Sequence, residues 1–229
     1  MPVFRLSEKI EFPLPQFSRE DGLLAVGGDL SEERILLAYS MGIFPWFSEG
    51  SPFLWWSPEP RLVLFPDEIR ISKSLKKLLR QKKFKVTFDT AFKDVITACA
   101  EIRTFNGDET WISEEMIEAY CRLHESGYAH SVETWNGRTL VGGLYGISLG
   151  KSFFGESMFA HESNASKVAF AELVNFLSEK NFDLIDCQVT TEHLMSFGAV
   201  EISKSEFLYL LDKSLEHYTL KGNWHFPDE

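Results

Sequence analysis

Cysteine is scarce in this chain. Cys99, Cys121 and Cys187 are odd in number, far apart and never form a CxxC pair, so a disulfide framework and a zinc ribbon are excluded and a reducing, cytoplasmic setting is expected. Long apolar runs are missing too. No stretch approaches the roughly 18 residues of a membrane span, and the opening MPVFRLSEKIEFPLPQF is broken by proline and charge, so neither a membrane nor a targeting address is expected. Positive charge is in deficit, 23 Lys and Arg against 34 Asp and Glu, and a net charge of −11 on average disfavours nucleic acid and anionic lipid. The six histidines show no metal-ligand spacing, so no metal is expected. Gly22 to Asp29 imitates the glycine spacing of a P-loop, but Gly28 and Asp29 stand where Lys and Ser or Thr are needed. That segment is a turn before a helix. A GxSxG elbow is also missing.

What is present is ample apolar material: 44% of the 229 residues are hydrophobic and 25% charged, enough to bury a core without staples. Aromatics reach 14%, an excess that a deep apolar pocket would use.

Proline divides the chain. Seven of nine fall before residue 61, which predicts short elements among turns with little regular sheet, and one helix after a cap at Asp29 or Ser31 that buries Ile35, Leu36 and Tyr39 and ends at Gly42. A domain boundary is placed at about residue 60. Beyond it the pattern predicts a strand at 62–65, a lysine-rich helix from Ser72, an extended 84–88, helices over 91–100 and 113–126 with a loop over 104–110, and a three-strand meander over 129–159. The meander turns at Asn136-Gly137 and again over 148–151. A helix capped by Asn164 and a buried strand at 184–189 follow. The fold class is α+β: a small N-terminal domain over 1–60 and a larger domain over 61–229.

Three constellations stand out. Ile69 to Lys85 holds eight cations and no anion, and on a helix Lys73, Lys76, Lys77, Arg80 and Lys83 form one outward stripe over buried Leu75, Leu78 and Leu79. A solvated face and a polyanion site are about equally good readings. If the latter holds, RNA binds there alone, because the rest of the surface repels it. Glu156 and Asp186 lie in apolar sequence, so each is expected to be half-buried and partnered, either in a structural ion pair or, with Gln188, in a site. Trp46, Trp55, Trp56 and Trp111 sit in irregular segments, where an indole either plugs a loop or offers a stacking face.

The meander, the helix from Asn164 and the strand to Val189 together resemble an acetyltransferase (GNAT-type) core. The segment 158–167, where such enzymes carry a glycine-containing pyrophosphate turn, has no glycine, which argues against coenzyme A. GLLAVGGDL, GIFPWF, LWWSPEPR, TWI, RLHESGYAHSVE, VGGLYG, GESMF, NASK and DCQV, in that order over about residues 10–210, resemble the leucyl/phenylalanyl-tRNA-protein transferase family. The resemblance implies transfer of leucine or phenylalanine, with methionine a further candidate, from aminoacyl-tRNA to the α-amine of acceptor proteins beginning with Arg or Lys, generating an N-degron without a cofactor. It implies an acyl cavity at Leu144, Phe153, Gly155, Phe170, Leu173 and Ile185, with Trp46 and Trp111 near the terminal adenosine. Asp186 and Gln188 would orient the amine, Glu156 would help select a basic acceptor, and Lys73, Lys77 and Arg80 would hold the tRNA, Gln81 replacing a further cation. A coenzyme A-dependent acyltransferase, a non-catalytic RNA-binding module and a purely structural protein are the alternatives.

Overall fold

The computed structural model describes residues 3–48, 50–105 and 112–225. Within residues 4–56 four short strands form a sheet: β1 (Phe4–Leu6), β2 (Leu23–Gly27), β3 (Phe44–Pro45) and β4 (Leu54–Trp56), ordered β1-β2-β4-β3. This corrects the expectation of little sheet before residue 60. The prolines permit it because they lie between strands or, at Pro45, on the edge strand, where a missing N–H costs nothing. Helix α1 (Glu32–Ser40) links β2 to β3; its N-cap is Ser31, whose backbone N–H donates to Asp29 Oδ1 at 2.9 Å, and its buried face carries Ile35, Ala38 and Tyr39, with Leu36 only half-buried.

From residue 61 come β5 (Arg61–Leu64), α2 (Lys73–Arg80), β6 (Lys85–Phe88), α3 (Phe92–Phe105), α4 (Glu114–Glu125), β7 (Ala129–Asn136), β8 (Thr139–Leu149), β9 (Ser152–Ala160), α5 (Ala165–Glu179), β10 (Leu184–Gln188), α6 (Glu192–Met195), β11 (Val200–Ile202) and α7 (Lys204–Leu215). The seven strands order as β11-β5-β10-β9-β8-β7-β6. The meander β7-β8-β9 stands as expected, whereas α3 runs on to Phe105, past the start of the loop predicted there. Asn164 is not the side-chain cap that the sequence suggests: it sits at φ 69° and its amide donates to Ser163 Oγ at 3.2 Å, so it turns the chain by conformation instead.

Side-chain alternation along β8 and β9 splits the core into two layers. Leu144 and Phe153 face α5, in one apolar cluster with Val168, Phe170, Leu173 and Ile185. Their neighbours Tyr145 and Phe154 face the other way, in a second cluster that takes in α3, α4, α7, the N-terminal sheet through Leu24 and Trp55, and α1 through Tyr39. β10 pairs with β9 in parallel over only three positions, Leu184 to Asp186 against Ser152 to Phe154. Past that point β9 continues against β8 while β10 pairs only with β5, and the gap opens beside Gly155, Glu156, Cys187 and Gln188.

Candidate active site

Where β9 and β10 part, an apolar cavity of about 270 Å³ runs in towards α5. Leu144, Phe153, Gly155, Phe170, Leu173 and Ile185, six residues scattered from 144 to 185 in the sequence, all line it. Cys187 is on the same wall, but burial pushes its thiol far above the usual range, so it stays protonated and is no nucleophile. A second cavity of about 220 Å³ adjoins it, lined by Phe44, Pro45, Trp46, Glu156, Gln188, Val189 and Thr191. Glu156 and Gln188 thus border both spaces.

Glu156 comes from β9 and is 9% exposed. Its Oε1 accepts from Tyr39 Oη at 2.6 Å and from Gln188 Nε2 at 2.7 Å, and its Oε2 accepts from Tyr120 Oη at 3.1 Å. The two phenol oxygens are also 2.6 Å apart. Two phenolic protons serve three short oxygen contacts, so the set is complete only when Glu156 itself carries a proton. Burial accordingly pushes its carboxyl up to about 7, against the hydrogen bonds from Tyr39, Tyr120 and Gln188 that pull it down. Burial likewise raises both phenols well above their ordinary value, with the Glu156 charge adding to it. Tyr39 and Tyr120 were not singled out as site residues from sequence; the signal available was that a phenol on an apolar helix face needs a buried partner for its hydroxyl.

Gln188 ends β10 at φ 62°, a left-handed conformation that costs a non-glycine residue about 1–3 kcal/mol. Its backbone N–H donates to Asp186 Oδ1 at 2.9 Å, which fixes the turn and aims the side chain at Glu156. Asp186 itself is wholly buried rather than half-buried, and it lines neither cavity. Its two oxygens take a bidentate grip from Arg61, Nε to Oδ1 at 2.8 Å and Nη2 to Oδ2 at 2.6 Å. The Arg61 guanidinium lies between the Phe44 and Phe207 rings, 4.8 and 4.5 Å from their centroids. The ion-pair reading of Asp186 therefore describes its contacts, and its link to the site runs through Gln188.

The tryptophans divide. Trp55 is buried and donates to Gly27 O at 2.9 Å, so it plugs the N-terminal sheet. Trp46 is 43% exposed at the second cavity, its carbonyl accepting from Trp56 Nε1 at 2.6 Å. Trp111 lies outside the described residues.

Helix α2 begins at Ser72, whose hydroxyl accepts from Leu75 N at 3.2 Å, and it buries Leu75 while leaving Lys73, Lys76, Lys77 and Arg80 exposed. Among the described residues none of these four pairs with a carboxylate. Lys83 departs from the expected stripe: the helix stops at Arg80, Lys82 turns the chain at φ 47°, and Lys83 pairs with Glu162 at 2.9 Å. Among the described residues no helix is long and apolar enough to cross a membrane, and no group of three His, Cys, Asp or Glu side chains is placed to hold a metal ion.

The family model described as leucyl/phenylalanyl-tRNA protein transferase matches residues 63–212, and that of the same family's N-terminal domain matches residues 28–59. The leucyl/phenylalanyl-tRNA–protein transferase of Desulfatibacillum aliphaticivorans is 61% identical over 229 residues, covering 100% of this chain and 98% of the relative. That of Desulforapulum autotrophicum is 58% identical over 226 residues, 99% of each. Among solved structures, L-PGS from Bacillus licheniformis is similar at a TM-score of 0.43 and 8% identity, over 84% of this chain and 73% of that one, too loose a likeness to carry an argument.

Proposed function

The chain belongs to the leucyl/phenylalanyl-tRNA-protein transferase family, and from that footing we propose that it moves leucine or phenylalanine from aminoacyl-tRNA to the α-amine of proteins that begin with Arg or Lys, marking them for degradation in the cytoplasm. One observation carries the reading: an apolar slot meets a second cavity at a shared hydrogen-bonding pair, Glu156 and Gln188, so two substrates can meet there. The acyl side chain enters the slot, where Leu and Phe are favoured through buried apolar area. Trp46 stacks with the terminal adenosine in the second cavity. Lys73, Lys76, Lys77 and Arg80 hold the tRNA phosphates. Residues 61–229 form an acetyltransferase-like domain and residues 1–60 the small domain that completes its site.

Chemically, the ester is already activated. The amine nitrogen attacks the ester carbonyl carbon, the C–N bond forms as the bond to the ribose oxygen breaks, and the proton lost by the amine ends on that oxygen. An α-amine titrates near 7.7–8.0, so a useful fraction is neutral at pH 7 and positioning supplies most of the rate. Gln188 and Glu156 hold the amine, and Glu156 favours a basic acceptor in the fraction of molecules in which its carboxyl has lost the proton. Asp186 acts through Gln188, and Arg61 through Asp186.

The test is transfer of labelled leucine from Leu-tRNA to an Arg-initiated protein, beside an N-acetylated twin and a ribonuclease-treated reaction. Label only on the free amine, lost after ribonuclease, is expected. Salt-sensitive RNA binding without label would instead leave the RNA-binding module standing. Asp186→Leu alone strands Arg61 and should cost about 3–5 kcal/mol of stability, whereas Asp186→Leu with Arg61→Met should regain much of it. Turnover should stay low in both, because Gln188 loses the acceptor for its N–H; a double variant with wild-type turnover would sink the relay.

A further inference from the structure

Phe153 lines the inner wall of the acyl cavity, and its position is set from outside it. Across the sheet, a Cβ at Gly146 would meet the ring tip at 2.6 Å, so the missing side chain there is what lets the ring lie over β8. The ring also meets Trp224, with centroids 5.9 Å apart. Trp224 is 3% exposed and belongs to a segment that no motif in the sequence explained. It lines neither cavity, yet it is held firmly. Its backbone N–H donates to Asp89 Oδ2 at 2.7 Å, and its indole stacks on His130 at 3.7 Å and 8°. His130 Nδ1 lies 2.8 Å from the same Asp89 oxygen. Phe176 and Phe182 pack against the indole as well, at 4.9 and 6.1 Å. In a close-packed interior a ring retreats only if its neighbour gives way.

We propose that Trp224 is a positioning residue for the cavity wall: acting through Phe153, it limits how deeply an acyl side chain reaches and so sets the balance between leucine and phenylalanine. The inference rests on the transferase reading above. A leucyl side chain is short and branched, whereas a benzyl group is longer and flat. A fixed wall favours the first. A smaller residue at 224 leaves space behind Phe153, the wall relaxes into it, and the longer side chain packs more deeply.

The experiment is internal competition, with Leu-tRNA and Phe-tRNA together and one Arg-initiated acceptor, reading the ratio of the two residues transferred. Both donors compete for the same folded molecules, so the ratio is independent of how much of a variant folds. Trp224→Phe and Trp224→Leu should shift it towards phenylalanine by about threefold or more. Leu211→Ala, a core truncation in the other apolar cluster, should keep the wild-type ratio. An unchanged ratio in both Trp224 variants, or an equal shift in Leu211→Ala, overturns the proposal. If the wild-type protein moves neither residue, the transferase reading itself has failed. The wall is then read by the relative Kd of 3′-amino-linked leucyl- and phenylalanyl-adenosine for wild type and Trp224→Phe, where the same shift supports the proposal and its absence ends it.

Discussion

Glu156 titrates near 7 in the folded protein and near 4.5 when exposed, and the difference has a sign for stability. Between those values the folded chain keeps a proton that the unfolded chain has lost, so stability falls as pH rises through that window and levels off above about 7. Glu156→Gln keeps an acceptor and adds a permanent donor, as the protonated acid does. Its stability relative to wild type should therefore grow from pH 5 to pH 8, by up to about 3 kcal/mol. Chemical unfolding at several pH values measures this; a variant whose pH slope follows wild type would remove Glu156 as the titrating group. The sequence made Glu156, Asp186 and Gln188 legible because charged and amide side chains interrupt apolar strands there. It did not disclose Tyr39 or Tyr120, which reach Glu156 from 117 and 36 positions away, since a tyrosine at core spacing on a helix looks like packing. Nor did it show that Asp186 is saturated by Arg61, a pairing 125 positions apart.

The start of helix α2 was readable from sequence because its signals are local: a capping serine, a three-four spacing of leucines and an opposite cationic face. The N-terminal sheet was not, because strands of two to five residues have no room to show a period, and β1 pairs with β2 in parallel across an intervening stretch of turns. Lys83 marks the limit of periodic reasoning, since the helix ends before its position and a glutamate from beyond β9 takes the charge. The stripe therefore has four members on the helix, and its use can be counted. Replacing Lys73, Lys77 and Arg80 by Gln should leave folding within about 0.5 kcal/mol per site, since all three are exposed. It should weaken tRNA binding and reduce the slope of log K against log salt by about one for each phosphate left without its cation. A triple variant with the wild-type slope would return α2 to an ordinary solvated face.

Proline distribution marks a boundary near residue 60, and the two sheets lie on either side of it, but the core does not respect it. One apolar cluster runs from Leu24, Tyr39 and Trp55 of the N-terminal sheet and α1 through Tyr120, Tyr145 and Phe154 to Phe207 and Leu211. Arg61 ties the same parts together, lying between Phe44 of β3 and Phe207 of α7 while it grips Asp186. Neither sheet can shed its partner without exposing that cluster and stranding a buried charge, so the molecule should unfold in a single cooperative step. Phe44→Ala tests this from the N-terminal side. Phe44 is 2% exposed, and its truncation should cost about 3–5 kcal/mol. The loss should lower the whole transition rather than detach one part of it. Tryptophan fluorescence, to which Trp46, Trp55 and Trp56 contribute from the N-terminal sheet, and far-UV ellipticity, which reports mainly the helices beyond residue 61, should give coincident midpoints in wild type and variant alike. A fluorescence midpoint that falls ahead of the ellipticity in Phe44→Ala would mean that residues 1–60 unfold as a unit of their own. The site at their junction would then be assembled by docking rather than by folding.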